Sequence, residues 1–324
     1  MDALKGYQQT YALRGAIELD LFTHIGSGAV TAAAIAERAG ASERGVRILC
    51  DYLVTLGFLT KSPSGYGLSP DAALFLDRRS PVCLGTGSRH LAHDTMIASF
   101  RDVAGLVRAG GAAGSGTLAP DDPLWVEFAK WMAPLFRTQA KMLAPLVSRP
   151  GRADTVLDVA AGHGLFGLYV AKHNPEARIV AVDWAPVLEV ARANAEAFGV
   201  ADRYRTIPGS VFDVDLGTGY NVVLLPNFLH HFDAPTNIGL LRKLRAAMTP
   251  GGLVATVEFV PNDDRITPPV AAAFALTMLG TTPAGDAYTF AELDRMFREA
   301  GFGGSRQLPL PATPQRLILT KNGP

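Results

Sequence analysis

Cysteine is scarce: the 324-residue chain has two, Cys50 and Cys83. Two thiols provide no disulfide framework and no Zn-ligand spacing, which fits reduced thiols in a cytoplasmic protein. Charge is sparse as well, at 19%, and neither sign predominates, with 30 basic against 30 acidic side chains. That balance argues against a general binder of nucleic acid or of acidic membrane surfaces. No apolar run reaches the ~18 residues needed to span a bilayer. The opening segment, MDALKGYQQTYALRGAIELD, lacks a basic-then-apolar leader pattern. Gly-x-Ser-x-Gly is absent, so a Ser-His-Asp hydrolase has no support. His90 and His93 stand three apart with no third ligand, so no metal site is expected. What the chain does have is 48% hydrophobic residues over a length sufficient for two domains.

The first hundred residues read as helices followed by a small hairpin. Tyr7 to Phe22 is expected to be one helix, and Thr31 caps a second that runs to Ala39. Ser42 caps a third, carrying Val46, Ile48, Leu49, Leu53 and Leu56, and Gly57 ends it. Phe58–Thr60 and Tyr66–Leu68 pair across the turn Ser62-Pro63-Ser64-Gly65, and Ser69-Pro70 opens another helix. Helix, turn, helix and β-wing make a winged helix. Such a domain can bind DNA, but the third helix sets Arg44 and Arg47 against Glu43 and Asp51, and the wing tip has only Lys61. That is too little positive charge for several phosphates, which favours a structural or dimerising role. The Gly-rich stretch Arg101–Asp121 reads as a loop or lid. Leu124 to Leu146 reads as a long helix bearing Trp125, Phe128, Trp131, Met132, Leu135 and Phe136, and Ser148–Gly151 reads as a boundary.

From there the pattern changes. Thr155–Val159 is an apolar strand, Gly162 and Gly164 form a tight turn, and Leu165–Lys172 is helical: the nucleotide-facing half of a βαβ unit. A second strand, Arg178–Asp183, ends in an acid about 20 residues after the turn, where a ribose hydroxyl needs an acceptor. The alternative for Asp183, as a cap of the following helix, is the less favoured reading. A third glycine six positions beyond the first is absent, which argues against a dinucleotide pyrophosphate site, and no Gly-Lys-Ser/Thr follows to make a P-loop. Further strands are expected at Tyr204–Pro208, Tyr220–Leu225 and Leu253–Val260, with helices at Pro186–Phe198, Pro235–Met248 and Phe290–Ala300 and a closing hairpin at 305–310 and 315–320. Alternating strands and helices imply an α/β fold, a parallel sheet with helices on both faces, whose ligands bind beyond the strands' carboxyl ends. Gly162, Asp183, Ser210, Asn227 and His230 all follow strand ends.

The pattern Asp158-x-Ala160-x-Gly162-x-Gly164 resembles motif I of class I S-adenosylmethionine (SAM) methyltransferases, with Ala160 in place of the first glycine. With the winged helix, the LHHFD segment, Pro250-Gly251-Gly252 and the terminal Ala-Gly-Phe, nearly the whole chain resembles the plant-caffeate-type and bacterial small-molecule O-methyltransferases. This resemblance implies a Rossmann-like methyltransferase sheet preceded by an α-helical winged-helix domain. It divides the chain into a dimerisation domain (1–100), a linker loop and pocket-lining helix (101–150) and a SAM-binding domain (151–324).

The resemblance also implies site residues. Ala160, Gly162, His163 and Gly164 would form the cofactor turn. Asp183 would take the ribose hydroxyls, Trp184 the adenine face, and Ser210, Val211 and Phe212 would stand where the family places Gly-Asp-Met-Phe. Pro226 replaces a family lysine, and Asn227 is the available substitute. His230 aligns with the catalytic histidine. A phenol or alcohol needs its proton removed before it attacks the sulfonium methyl, and histidine titrates near working pH. His231 follows it, and both histidines could instead be structural. Of the two glutamates that orient the family base, Glu258 matches one. Ala287 stands at the other, leaving Asp286 as the candidate support. Phe128, Met132, His231, Phe274 and Met278, with Leu279, are the candidate substrate walls. The activity implied is SAM-dependent O-methylation of a hydroxylated, largely apolar small molecule by a homodimer without a metal, yielding S-adenosyl-L-homocysteine. The alternatives are a SAM-binding relative that catalyses hydroxylation, decarboxylation or a pericyclic step, or a DNA-binding regulator.

Overall fold

The computed structural model describes residues 2–85, 87, 91–114, 123–311 and 313–323. His90 and part of the Gly-rich stretch lie outside them. Internal contacts divide the chain into two units, Met1–Ile97 and Ala98–Pro324.

In the first unit, α1 (Gly6–Glu18), α2 (Leu21–Gly26), α3 (Ala32–Ala39) and α4 (Glu43–Thr55) precede the hairpin β1 (Leu59–Ser62) and β2 (Gly65–Leu68), and α5 (Pro70–Phe75) follows. The expected single helix over 7–22 is two. Asp20 adopts a left-handed conformation (φ 55°), which a short polar side chain tolerates, and its carboxylate accepts from Thr23 at 2.7 Å. The break turns Leu21, Phe22 and Ile25 into the core with Ile35, Cys50 and Leu53. Thr31, Ser42 and Ser69 each accept a backbone N–H as helix caps. The wing's Lys61 (2.5 Å) and the third helix's Arg47 (3.0 Å) both pair with Asp51. Two of the three cations that a DNA-binding winged helix would need are therefore already neutralised.

The second unit is built on a seven-stranded sheet ordered β5-β4-β3-β6-β7-β9-β8. Its strands are β3 (Thr155–Val159), β4 (Arg178–Asp183), β5 (Tyr204–Pro208), β6 (Tyr220–Pro226), β7 (Met248–Glu258), β8 (Ser305–Pro309) and β9 (Arg316–Lys321). Strands β3 to β7 are parallel, and β9 runs antiparallel between β7 and β8. Alternate residues feed two cores. Val156, Ile179, Val222 and Leu224 enter one, and Leu157, Val180, Val223 and Leu225 the other. Burial on both faces is why the parallel strands read as continuous apolar runs. The chain reverses direction across the sheet between β3 and β6, which places a switch point at their carboxyl ends.

Helix α6 (Asp94–Ala98) precedes α7 (Val103–Ala109), so the stretch read as a loop contains a helix, ended by Gly110 in the left-handed conformation (φ 83°). Gly111 then packs on the Pro283 carbonyl, where a Cβ would collide, and Ala112 N donates to Thr282 O at 2.9 Å. The long helix α8 (Pro123–Val147) buries Ala140, Leu143, Ala144 and Val147 in the sheet's core. After α11 (Ala234–Ala247), a helix unforeseen in the sequence, α12 (Pro269–Thr281), carries Phe274 and Met278. Among the described residues no helix is long and apolar enough to cross a membrane.

Candidate active site

The expected site residues stand at or just beyond the carboxyl ends of β3, β4, β5, β6 and β7. After β3, the turn Ala160–Gly164 carries positive φ at Ala160 (50°), Gly162 (56°) and Gly164 (75°). A Cβ on Gly164 would lie 2.7 Å from the Tyr204 hydroxyl, so this glycine is required by packing from below. A Cβ on Gly162 would meet only the Ala160 carbonyl, at 3.9 Å, so open space borders that backbone.

The expectation of a missing third glycine is corrected by Gly167, three positions beyond Gly164. It lies in the first turn of α9 (Leu165–His173), where a Cβ would fall 2.7 Å from Ile179 and 2.8 Å from the Asp158 carboxylate. Its N–H donates to that carboxylate at 3.0 Å. Gly167 thus permits the close helix–strand approach that the third glycine of a Gly-x-Gly-x-x-Gly turn provides.

Asp183 ends β4. Its carboxylate accepts from Gly162 N at 2.8 Å and Trp184 N at 2.7 Å, and burial lifts its pKa to about 6. It is not a helix cap. Trp184 occupies the N-cap position of α10 (Ala185–Phe198), and no side chain caps that helix. Two oxygens with two donors leave acceptor capacity for a ligand.

His163 has turned inward. Its Nδ1 accepts from Leu165 N at 3.1 Å, its ring packs with Phe136 and Phe166, and burial drops its pKa to about 4. Its carbonyl is occupied by Asn194 at 2.8 Å, which leaves only its backbone N–H toward the turn.

Beyond β5, Ser210 Oγ accepts from Phe212 N at 3.2 Å, Val211 is buried, and Phe212 packs between Phe228 and Phe232. The Ser210 oxygen thus accepts one bond from its own turn and keeps its O–H and a second lone pair. Asn227 also faces inward. It has φ 55°, and its side-chain oxygen accepts from the buried Gln315. Gln315 had no sequence signal, because a buried amide on a loop before a strand matches no periodic pattern.

The histidine segment, a 3₁₀ turn over Leu229–His231, is held from several sides. The Glu258 carboxylate, at the end of β7, accepts from Phe228 N (3.0 Å) and Leu229 N (2.9 Å) through one oxygen, and its other oxygen lies 2.5 Å from His230 Nδ1. His230 is 5% exposed and Glu258 3%, so little solvent competes for this bond. Asn237 Nδ2 donates to the carbonyls of Leu229 (2.8 Å) and Phe232 (3.2 Å), and the Tyr288 hydroxyl donates to Phe232 O at 2.6 Å. Neither residue belongs to a motif or spacing that marks it in the sequence.

Asp286 does not support the base as expected. Its carboxylate pairs with Arg265 at 3.3 Å, and only its backbone N–H reaches His230, at the carbonyl (3.0 Å). Phe274 meets the His230 ring edge-on at 4.9 Å and stacks on Phe259 at 4.1 Å. His231 lies 4.3 Å from His230 and faces Trp125 at 6.0 Å, with Phe128 beyond at 5.9 Å from Trp125. Met132 and Met278 are both buried. His93 Nδ1 accepts from Thr95 N at 3.3 Å. No cluster of three or more His, Cys, Asp or Glu is gathered among the described residues.

Residues 1–78 match the O-methyltransferase dimerisation domain, and residues 143–303 match the O-methyltransferase domain. A crystal structure from Nostoc punctiforme, assigned as an O-methyltransferase, is 49% identical, with a TM-score of 0.95 over 99% of this chain and 97% of that one. The mitomycin biosynthesis 6-O-methyltransferase of Streptomyces lavendulae is 28% identical over 98% of this chain and 92% of its own. Human N-acetylserotonin methyltransferase, solved with SAM, shares the fold at 20% identity and a TM-score of 0.84, over 100% of this chain and 96% of that one. The chain belongs to the SAM-dependent O-methyltransferases that join an N-terminal dimerisation domain to a class I methyltransferase domain. It is an enzyme of that class, with SAM as its methyl donor.

Proposed function

We propose that this enzyme methylates a hydroxyl group on an apolar aromatic small molecule, with His230 as the general base. The observation that carries this reading is the 2.5 Å contact between His230 Nδ1 and Glu258. The carboxylate accepts the Nδ1 proton and so leaves Nε2 as the basic nitrogen. Backbone N–H donors on the carboxylate's other oxygen fix its direction, and Asn237 and Tyr288 fix the turn that carries the histidine. Phe274, Phe128 and Trp125 supply flat apolar surface around the base, which suits an aromatic acceptor.

The residues beyond β3 and β4 fit SAM. Open space borders Gly162, and the Asp183 carboxylate has free lone pairs for the ribose hydroxyls. Trp184 is half-buried beside it as the adenine surface. Ser210 keeps its O–H free, whereas the Asn227 oxygen is taken by Gln315, so Asp183 and the glycine turn hold most of the contacts. When bound, SAM supplies an electrophilic methyl group on a sulfonium. The protein's part is to orient the acceptor hydroxyl, exclude water from it and take its proton.

The same reading gives a homodimer. Residues 1–78 match the dimerisation domain, and Leu4, Tyr7, Tyr11 and Ile48 are exposed apolar side chains within it. The relatives that act on mitomycin, tetracenomycin and a hydroxynaphthoate support an aromatic acceptor.

His230→Ala tests the base. Methyl transfer to a phenolic acceptor falls by roughly 10²–10⁴, the usual contribution of general-base catalysis, while calorimetric SAM binding is unchanged. Undiminished turnover in this variant rules the base assignment out.

A further inference from the structure

Three buried polar atoms near the base have no partner: Trp125 Nε1, His231 Nδ1 and Asn237 Oδ1. The indole Nε1 of Trp125 and the imidazole Nδ1 of His231 are both shielded from solvent, and neither makes a hydrogen bond. Native proteins rarely leave such groups unmet, and each one asks for a reason. The two rings adjoin each other, edge to face at 6.0 Å, and His231 adjoins His230 at 4.3 Å. The other rings against them among the described residues are Phe128 on Trp125 and Phe228 and Phe232 on His231, all of them apolar. Burial, with His230 beside it, keeps His231 neutral, so it presents one donor and one acceptor nitrogen.

We propose that Trp125 and His231 form a second polar anchor for the acceptor, selecting aromatic substrates that carry another oxygen on the ring position next to the methylated hydroxyl. The inference rests on His230 as the base. Trp125 can only donate, so the second group must accept: a carbonyl or a hydroxyl, not an ammonium. His230 and His231 are close enough to engage two oxygens in an ortho or peri relation. An oxygen across the ring would be carried away from both. A substrate of this kind would meet the two orphaned ring nitrogens, and an acceptor with a single hydroxyl would leave them unmet.

The test is calorimetric, with S-adenosyl-L-homocysteine present, using 2,3-dihydroxynaphthalene and 2-naphthol as the paired probes. The wild type is expected to bind the diol about tenfold more tightly, the worth of one good hydrogen bond. Trp125→Phe and His231→Phe should abolish that preference, bringing diol affinity down to that of 2-naphthol. His231→Asn, which keeps a donor and an acceptor, should retain part of it. Equal affinity in the wild type, no binding of either probe, or variants that weaken both probes alike overturn the proposal. Because binding needs no methyl transfer, failure of the base assignment shows separately, as undiminished turnover in His230→Ala with the diol preference intact.

Discussion

Replacing Glu258 by glutamine keeps the side chain's shape and removes its charge. In the native site its two oxygens meet Phe228 N and Leu229 N on one side and His230 Nδ1 on the other. Glutamine offers one oxygen and one NH₂. If the NH₂ faces the backbone, two buried donors lose their acceptor, at about 1–3 kcal/mol each. If it faces His230, both backbone bonds survive and the amide donates to Nδ1. The second orientation is favoured, and it forces the imidazole proton onto Nε2, the nitrogen that must receive the substrate's proton. Glu258→Gln should therefore fold, with a loss of about 1–2 kcal/mol for one charge-assisted bond. Turnover should fall by roughly 10²–10⁴, as for loss of the base itself. The assay is methyl transfer from labelled SAM, paired with ¹⁵N spectra of the histidine side chains. A variant with undiminished turnover, or one that keeps the proton on Nδ1, would refute the reasoning.

Three further outcomes are expected. Ala160 holds φ 50°, which costs an L-residue about 1–2 kcal/mol, partly offset by glycine's entropy in the unfolded chain; Ala160→Gly should raise stability by about 0.5–1 kcal/mol, read by denaturant melting, and a drop would count against the strain. Gly167→Ala places a methyl against Ile179 and Asp158 and should destabilise by about 1–3 kcal/mol; an unchanged melting curve would contradict the packing. Asp183 has its pKa raised to about 6, so the ionised form is disfavoured in the fold, and stability from this group is present at low pH and lost as pH rises through about 6. Ribose hydroxyls need the ionised acceptor, so SAM affinity should move the opposite way, rising through the same window, and Asp183→Asn should bind weakly and without that pH dependence.

The parts of this molecule that were legible in the sequence are those with local rules. The β3 turn and the acid ending β4 were readable because backbone approach needs glycine and a ribose needs an acceptor. His230 and Glu258 were legible only through the family resemblance. They lie 28 residues apart in the chain, and the sheet brings them together by pairing β6 with β7 in parallel. Other residues carried no usable signal. Asp20 breaks a helix through backbone geometry that an aspartate does not announce. α12 has an almost uniformly apolar composition, so no helical stripe marks it. Asp286 stands beside the expected support in sequence, yet Arg265 at 3.3 Å competes for its carboxylate, and a charge pair with a distant loop cannot be read from spacing.

That competition has a consequence for the base. With Asp286 engaged elsewhere and Ala287 fully buried where a second carboxylate would stand, Glu258 is the one carboxylate bonded to the His230 ring among the described residues. Freeing Asp286 should not change this, because its link to His230 is through the backbone N–H to the carbonyl rather than through its side chain. Arg265→Ala is then expected to leave the pH profile of turnover in place and to cost only modest stability, since Arg265 pairs with both Asp286 and Glu292 at the surface and such pairs are worth about 0–1 kcal/mol each. A shifted pH profile in that variant, measured on the same acceptor as the wild type, would mean that the Asp286 carboxylate acts on the base after all, and that the loss of the second glutamate is compensated at that position.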